Sequence, residues 1–312
     1  MYICKLKQRK YDDKINQVSE LFRPAVINKT GDLSTDNAKF LFFRRRSKEL
    51  SLISLPINLE YMGKIIALAN QKGGVGKTTT SQALASTLGF KKKKTLLIDM
   101  DSQGNVTYSS GVDTPAKTIT DVLGGACKPD EALIHCKYYD LLAADKYLTN
   151  VEGSEEVEPT LLKDSIAKLR SQYDFIVIDT PPALGNLSVN SLVASDYVVI
   201  PCEPRPFALQ GLGALYNTIQ SVRNSLNPAL KVLGILLIKY SNRTVLNRDI
   251  KDMIEDYAKQ MNTVVFNTSI RESVVVGEAQ TVREPLIDYA KSSKPNIDYK
   301  AFTTEVLRKI GE

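Results

Sequence analysis

From Met62 to the end of the chain, short β-branched and aliphatic runs alternate with stretches of helical period; no such regularity precedes Met62. The apolar runs predict strands over Lys64–Ala69, Thr95–Asp99, Tyr139–Ala143, Phe175–Asp179, Tyr197–Pro201, Val232–Ile238 and Thr263–Phe266. Several are near-continuous in apolar residues, as strands buried on both faces are. The helical stretches are Lys77–Gly89, Pro159–Ser171, Leu209–Ser225, Asn247–Gln260 and Asn296–Ile310. Strands and helices in alternation predict an α/β domain, with a mostly parallel twisted sheet covered by helices on both faces. Upstream, Lys14–Phe22 places Ile15, Val18, Leu21 and Phe22 on one face and predicts a short amphipathic helix. Phe40–Phe43, Arg44–Arg46 and Leu50–Leu55 follow without a clear period. Two regions result: an N-terminal extension, 1–61, and a domain, 62–312.

Charge sharpens that boundary. The extension carries 12 Lys and Arg against 7 Asp and Glu, and the domain 29 against 28, of totals of 41 and 35. A basic appendage on a neutral body suits a solvated tail, and also contact with nucleic acid or an acidic surface. No apolar run approaches the roughly 20 residues of a membrane helix, and the N-terminus lacks a secretory signal's apolar stretch. The expected location is the cytoplasm. Cysteines 4, 127, 136 and 202 show no C-x-x-C spacing, so they are expected to be reduced and structural. His135 is the only histidine.

The strongest chemical signal is Asn70-Gln71-Lys72-Gly73-Gly74-Val75-Gly76-Lys77-Thr78-Thr79, between a predicted strand and a predicted helix. That is the setting of a phosphate-binding P-loop. Glycines let the backbone turn tightly and aim N–H groups at phosphate oxygens, and the helix N-terminus adds its positive end. Gly73, Gly74, Val75, Gly76, Lys77, Thr78 and Thr79 are therefore the expected nucleotide-binding residues. Lys77 bridges the β- and γ-phosphates, Thr78 offers its hydroxyl to Mg²⁺, and Thr79 helps hold the α-phosphate. Gln71 stands where the ordinary pattern has glycine, and Lys72 supplies the extra lysine of the deviant form K-G-G-x-G-K-T. Asp99 and Asp101 end the second predicted strand of the domain, and Asp179 ends the fourth. C-terminal strand ends border the ligand crevice of such sheets. A carboxylate buried there needs a cation or hydrogen bonds to offset its desolvation.

Residues 62–312 resemble the ParA/Soj partition ATPases of the MinD/ParA superfamily. Asn70–Thr79, Leu97–Asn105, Ile178–Leu192 and Pro201–Gly211 carry the resemblance, with Gly234–Thr244 matching more loosely. Asp179-Thr180-Pro181-Pro182-Ala183-Leu184-Gly185 is similar to the Soj branch rather than to the D-S-P-A-G run of MinD. The resemblance implies an ATPase that uses ATP and Mg²⁺ and pairs into a nucleotide sandwich dimer. Lys72 then reaches the partner's phosphates, and Gly73 lies where the two subunits approach. Asp101 orients the attacking water and serves the metal site with Thr78 and Asp179, which organises Mg²⁺ through its water shell. It further implies non-specific duplex DNA binding by the ATP dimer, release on hydrolysis stimulated by a ParB-like centromere-binding partner, and association with the nucleoid. Arg243 matches a DNA-contact arginine, and Arg271 is a second candidate. The extension, 1–61, lies outside the resemblance.

Two other functions share parts of this pattern. A membrane-associated regulator needs a basic amphipathic C-terminal helix, and the tail places Phe302, Val306 and Ile310 on one face with Lys300, Arg308 and Lys309 nearby. Helix docking onto the sheet explains the same pattern, and no stable membrane association is expected. A redox ATPase needs subunit-bridging cysteines near the site, and Cys127 and Cys136 lie outside such contexts.

Overall fold

The computed structural model describes residues 41–46, 49–54, 62–154 and 156–312. The chain divides into two units, Met1–Tyr61 and Met62–Glu312. In the first, β1 (Leu41–Arg46) and β2 (Glu49–Ser54) pair antiparallel, with Leu41 opposite Ser54 and Arg46 opposite Glu49. The aperiodic apolar and arginine runs thus form a hairpin. The helix expected over Lys14–Phe22 lies outside the described residues.

The second unit is a seven-stranded sheet. Its strands are β3 (Lys64–Leu68), β4 (Thr95–Asp99), β5 (Leu133–His135), β6 (Asp140–Leu142), β7 (Phe175–Asp179), β8 (Tyr197–Cys202) and β9 (Lys231–Leu237), in the order β5-β6-β4-β7-β3-β8-β9. All neighbours run parallel except β5, which pairs antiparallel with β6 at one edge. Strands β4 and β7 are buried along their whole length, because helices cover both faces. Each Leu or Ile removed from water there contributes about 1.5–3 kcal/mol.

Helix α1 (Lys77–Phe90) leaves the C-terminal end of β3, the strand between β7 and β8. Short helices α2 (Asn105–Ser109), α3 (Ile119–Leu123), α4 (Leu148–Glu152) and α5 (Leu161–Ile166) follow. Then come α6 (Asn186–Ala194), α7 (Ala208–Ser225), α8 (Val245–Gln260), α9 (Val275–Thr281), α10 (Leu286–Tyr289) and α11 (Lys294–Ile310).

Three expectations change. The helix expected over Pro159–Ser171 stops at Ile166, and a 3₁₀ turn, Leu169–Ser171, follows. That turn aims Arg170 at the Gly63 carbonyl and the Asp196 carboxylate, an anchor at the start of β3. Thr263–Phe266 is extended along β9, but it forms an isolated bridge, Ile235 to Val265, rather than a ladder. Helix α6 was not expected, because Ser188, Asn190 and Ser191 occupy its buried face. Their polar atoms are satisfied locally, Ser191 Oγ on the Leu187 carbonyl and Asn190 Oδ1 on the Leu162 N–H.

The sheet, its helices and its core all lie within Met62–Glu312. A chain truncated to begin at Met62 is therefore expected to unfold cooperatively, with a midpoint close to that of the full chain. Circular dichroism on heating checks this; a broad, non-cooperative melt would place part of 1–61 in the core.

Candidate functional site

The loop between β3 and α1 is built for close backbone approach. Ala69 N–H donates to the Val199 carbonyl, which fixes the loop's entry against β8. Buried Asn70 donates from Nδ2 to the Pro201 carbonyl at 2.6 Å and accepts the Lys72 N–H at 2.9 Å. Gly74 and Gly76 have φ of +73° and +83°, a left-handed backbone that side chains resist. Gly76 is the N-cap of α1, and its carbonyl accepts the first helical bond, from Thr80. Val75 turns its side chain into the core, so only its backbone faces a ligand. Gly73 differs: its φ is not positive, and a Cβ there would meet nothing within 4 Å. The single chain gives no reason for glycine at 73.

Three carboxylates stand beyond the loop in two roles. Asp99 is fully buried and braces the turn after β4, accepting the Thr107 N–H at 2.9 Å and its hydroxyl at 2.8 Å. Burial pushes its carboxyl up to about 6, against those donors. Asp101 faces the cleft, and its Oδ1 accepts the Gln103 N–H at 3.0 Å. Asp179 ends β7, fully buried, with the Thr78 hydroxyl donating to Oδ2 and Ser81 Oγ on Oδ1, each at 2.8 Å. Burial, with Asp99 adding repulsion, pushes it up to about 7, while Thr78, Ser81 and Lys77 oppose the rise. Lys77 is only 7% exposed, and its Nζ reaches the Lys72 carbonyl at 3.3 Å. Burial pulls its ammonium below the ordinary lysine range, and Asp179 and Asp101 counter that pull.

A cleft of about 720 Å³ opens over these groups, lined by Gly73, Gly74 and Gly76–Thr79, by Asp101, Gln103, Asn105 and Tyr108, and by Ser273, Val276, Gly277 and Gln280. An adjoining cavity of about 640 Å³ shares Gly76, Thr79, Lys239, Ser273, Val276 and Gly277 and runs on to Ile270–Val274. The structure thus brings together Gly73–Thr79, Asp101 and Asp179, with Lys72 exposed on the rim. It also adds a second wall that sequence reasoning missed, from Lys239 and from 270–281. Gln280 Nε2 donates to Thr79 Oγ1 at 2.9 Å, tying that wall to the loop. No motif marks these residues, because they reach the cleft only by tertiary return of the chain. Gln103-Gly104-Asn105 was signalled by its place directly after Asp101.

Of the two arginines singled out for DNA, Arg243 lines neither cavity, whereas Arg271 lines one. Arg243 is exposed just before α8 and forms no ion pair among the described residues. Arg271 lines the second cavity, and its guanidinium grips Asp298 by two bonds, of 2.9 and 2.6 Å. Cys136 and Cys202 hold their protons, pushed by burial up to about 11 and about 12. Neither these nor Cys127 lines the cleft. The apolar face of α11 is spent inside the fold: Phe302 and Val306 are fully buried, with Phe302 packed on Phe266. No described helix is long and apolar enough to cross a membrane.

A family model described as an AAA domain matches residues 63–232. The chain is 37% identical over 257 residues to the sporulation initiation inhibitor protein Soj of Bacillus subtilis, covering 78% of this chain and 98% of that one. It is 36% identical over 256 residues to the chromosome partitioning protein ParA of Myxococcus xanthus, covering 80% and 89%. Among solved structures, cobyrinic acid a,c-diamide synthase from Mycobacterium smegmatis, with a bound ATP analog and magnesium, superposes with a TM-score of 0.66 at 31% identity, over 79% of this chain and 95% of that one.

Proposed function

Because the chain belongs to the Soj/ParA family of chromosome-partitioning ATPases, we propose that it is a nucleotide-driven DNA-partitioning switch. With ATP bound, two copies face each other across their phosphate loops and together hold duplex DNA. Hydrolysis, stimulated by a ParB-like DNA-bound partner, separates them. The observation that carries this reading is the loop itself: Lys77 and the turns at Gly74 and Gly76 line one cleft with Asp101, and Asp179 holds Thr78 from beneath it.

The residues present fit Mg²⁺. Thr78 and Asp179 converge at 2.8 Å beside the loop. The donors are hard oxygens, and among the described residues no cluster of His, Cys, Asp and Glu forms a dedicated protein cage. That set suits a cation held by one hydroxyl, substrate phosphates and water. Thr78 would ligate it directly, with Asp179 ordering its water and Asp101 close by; bound Mg²⁺ supplies charge neutralisation at the phosphates.

The protein's part is then positioning. Backbone N–H groups of Gly73–Thr79 hold the phosphate chain, Lys77 spans its β- and γ-oxygens, and Lys239 with 270–277 encloses the nucleoside. Asp101 orients a water for in-line attack on the γ-phosphorus, which breaks the bond to the β–γ bridging oxygen and yields ADP and phosphate. Lys72, exposed on the rim, completes the partner's site rather than its own.

Gly73 supplies the test. A Cβ there meets nothing within 4 Å in the single chain, whereas a valine side chain would stand between two copies. Gly73→Val is expected to leave the single chain's nucleotide affinity nearly unchanged. It should weaken nucleotide-dependent dimerisation by about ten- to a hundredfold, the effect of overpacking a close contact by roughly 1–3 kcal/mol. Light scattering with a non-hydrolysable ATP analogue and Mg²⁺ measures this; a stable Gly73→Val dimer would rule out facing loops.

A further inference from the structure

Five described non-glycine residues have positive φ: Lys92, Phe207, Lys239, Asn262 and Arg283. Three of them close helices. Lys92 follows α1, Asn262 follows α8 and Arg283 follows α9, and their N–H groups turn back onto the carbonyls of Gly89, Lys259 and Gln280. That is the common left-handed ending of a helix. Lys239 lies two residues past β9, in the wall of the cleft. Phe207 closes no helix. It is the N-cap of α7, where the backbone is ordinarily extended and the side chain a small acceptor. Instead it has φ 72° and ψ 3° and makes no side-chain cap. Its ring is 83% exposed, the most of any large apolar side chain described. Strain of this kind persists only where the surroundings impose it, and it gathers at functional positions.

Position suggests what the ring is held out for. The loop before α7 stands beside the phosphate loop. Asn70, which fixes the Lys72 N–H, also holds the Pro201 carbonyl and lies against Gly211 in the first turn of α7. The loop that carries Phe207 is thus tied through Asn70 to the segment that bears Lys72 and Gly73. Lys72 has no ion-pair partner among the described residues, and Gly73 has no internal need for glycine.

We propose that Phe207 is the aromatic anchor of the face that a second copy of this chain covers, its ring entering the facing copy when the two Lys72–Gly73 rims meet. The inference rests on the facing-loop dimer proposed above. The occupant is a second copy because the loop that holds out the ring is tied through Asn70 to Lys72 and Gly73, the two residues that a facing copy explains. A rigid aromatic loses little freedom on burial, so holding it out beforehand makes it an effective anchor. Twofold symmetry would use it twice.

The test uses the full chain with Mg²⁺ and a non-hydrolysable ATP analogue, following dimerisation by sedimentation velocity. Phe207→Gly and Phe207→Asn both accept the left-handed backbone without the ring. Each is expected to weaken the dimer by at least about tenfold, while Phe207→Tyr dimerises like the parent. Fluorescent-nucleotide affinity of the single chain should not move, since Phe207 lines neither cavity. Thermal midpoints of the Gly and Asn variants should be no lower than the parent's. Gly and Asn variants that dimerise normally while Gly73→Val does not would overturn the anchor and leave the facing loops standing. A parent chain that stays monomeric with the analogue would overturn both.

Discussion

Replacing Lys77 with alanine is expected to remove nucleotide binding, whereas replacing Asp101 with alanine should preserve binding and stop turnover. Lys77 is nearly buried and already reaches the Lys72 carbonyl across the loop. It is positioned to meet phosphate oxygens in the ground state. Two hydrogen bonds between charged groups, at about 1.5–3 kcal/mol each, make its loss worth on the order of 10²–10⁴ in affinity. The fold should tolerate the change, because the ammonium is held against a desolvation penalty that the alanine escapes. Asp101 is placed differently. Its carboxylate accepts a backbone N–H in the turn after β4 and otherwise faces the cleft. A group that only orients the attacking water contributes to the rate, by roughly 10²–10⁴-fold, and little to binding. Titration with a fluorescent nucleotide and a phosphate-release assay separate the two outcomes. Normal turnover in Asp101→Ala would move water positioning to another residue, and near-normal binding in Lys77→Ala would detach the loop from phosphate altogether.

The two halves of the site differed in how far the sequence disclosed them. The phosphate half is local: strand, loop and helix are consecutive, and the backbone turns at Gly74 and Gly76 need glycine for steric reasons that any sequence displays. Asp179 was legible because β7 is a continuous apolar run that a carboxylate interrupts at its C-terminal end. The pairing of Thr78 with Asp179, 101 residues apart, then follows from β7 lying beside β3. Division of labour between Asp99 and Asp101 was legible only through the family resemblance, not from the residues themselves. One residue separates them, yet Asp99 is spent on Thr107 and Asp101 faces the cleft. The opposite wall was hidden for another reason. Ser273, Val276 and Gln280 come from a segment with no motif, and they meet the loop through packing against Thr79 rather than through any local pattern. Arg271 shows the same limit. Its sequence neighbours gave no sign of Asp298, the carboxylate that holds it.

Charge reversal at Arg243 is expected to weaken binding of the ATP-loaded protein to duplex DNA of any sequence, by about ten- to a hundredfold at low salt. The domain is nearly neutral, with 29 basic residues against 28 acidic. A single copy therefore attracts the phosphate backbone only through its local clusters, and pairing two copies doubles the contacts. Non-specific binding depends on how many phosphates are neutralised, because each contact releases counterions. Arg243 is exposed and unpaired among the described residues, so its charge is free to act. Arg271 would first have to leave Asp298, a carboxylate that is only 10% exposed. Arg243→Glu should accordingly flatten the log–log salt dependence by about two, one contact from each copy. ATP hydrolysis without DNA should stay near the parent's value, since Arg243 lines neither cavity of the nucleotide site. Fluorescence anisotropy on two unrelated duplexes over a salt series, with ATP analogue and with ADP, tests all of this. A strong preference for one duplex would point to operator recognition, and an unchanged affinity and slope would shift the DNA surface to Arg271 or to the basic segment, 1–61.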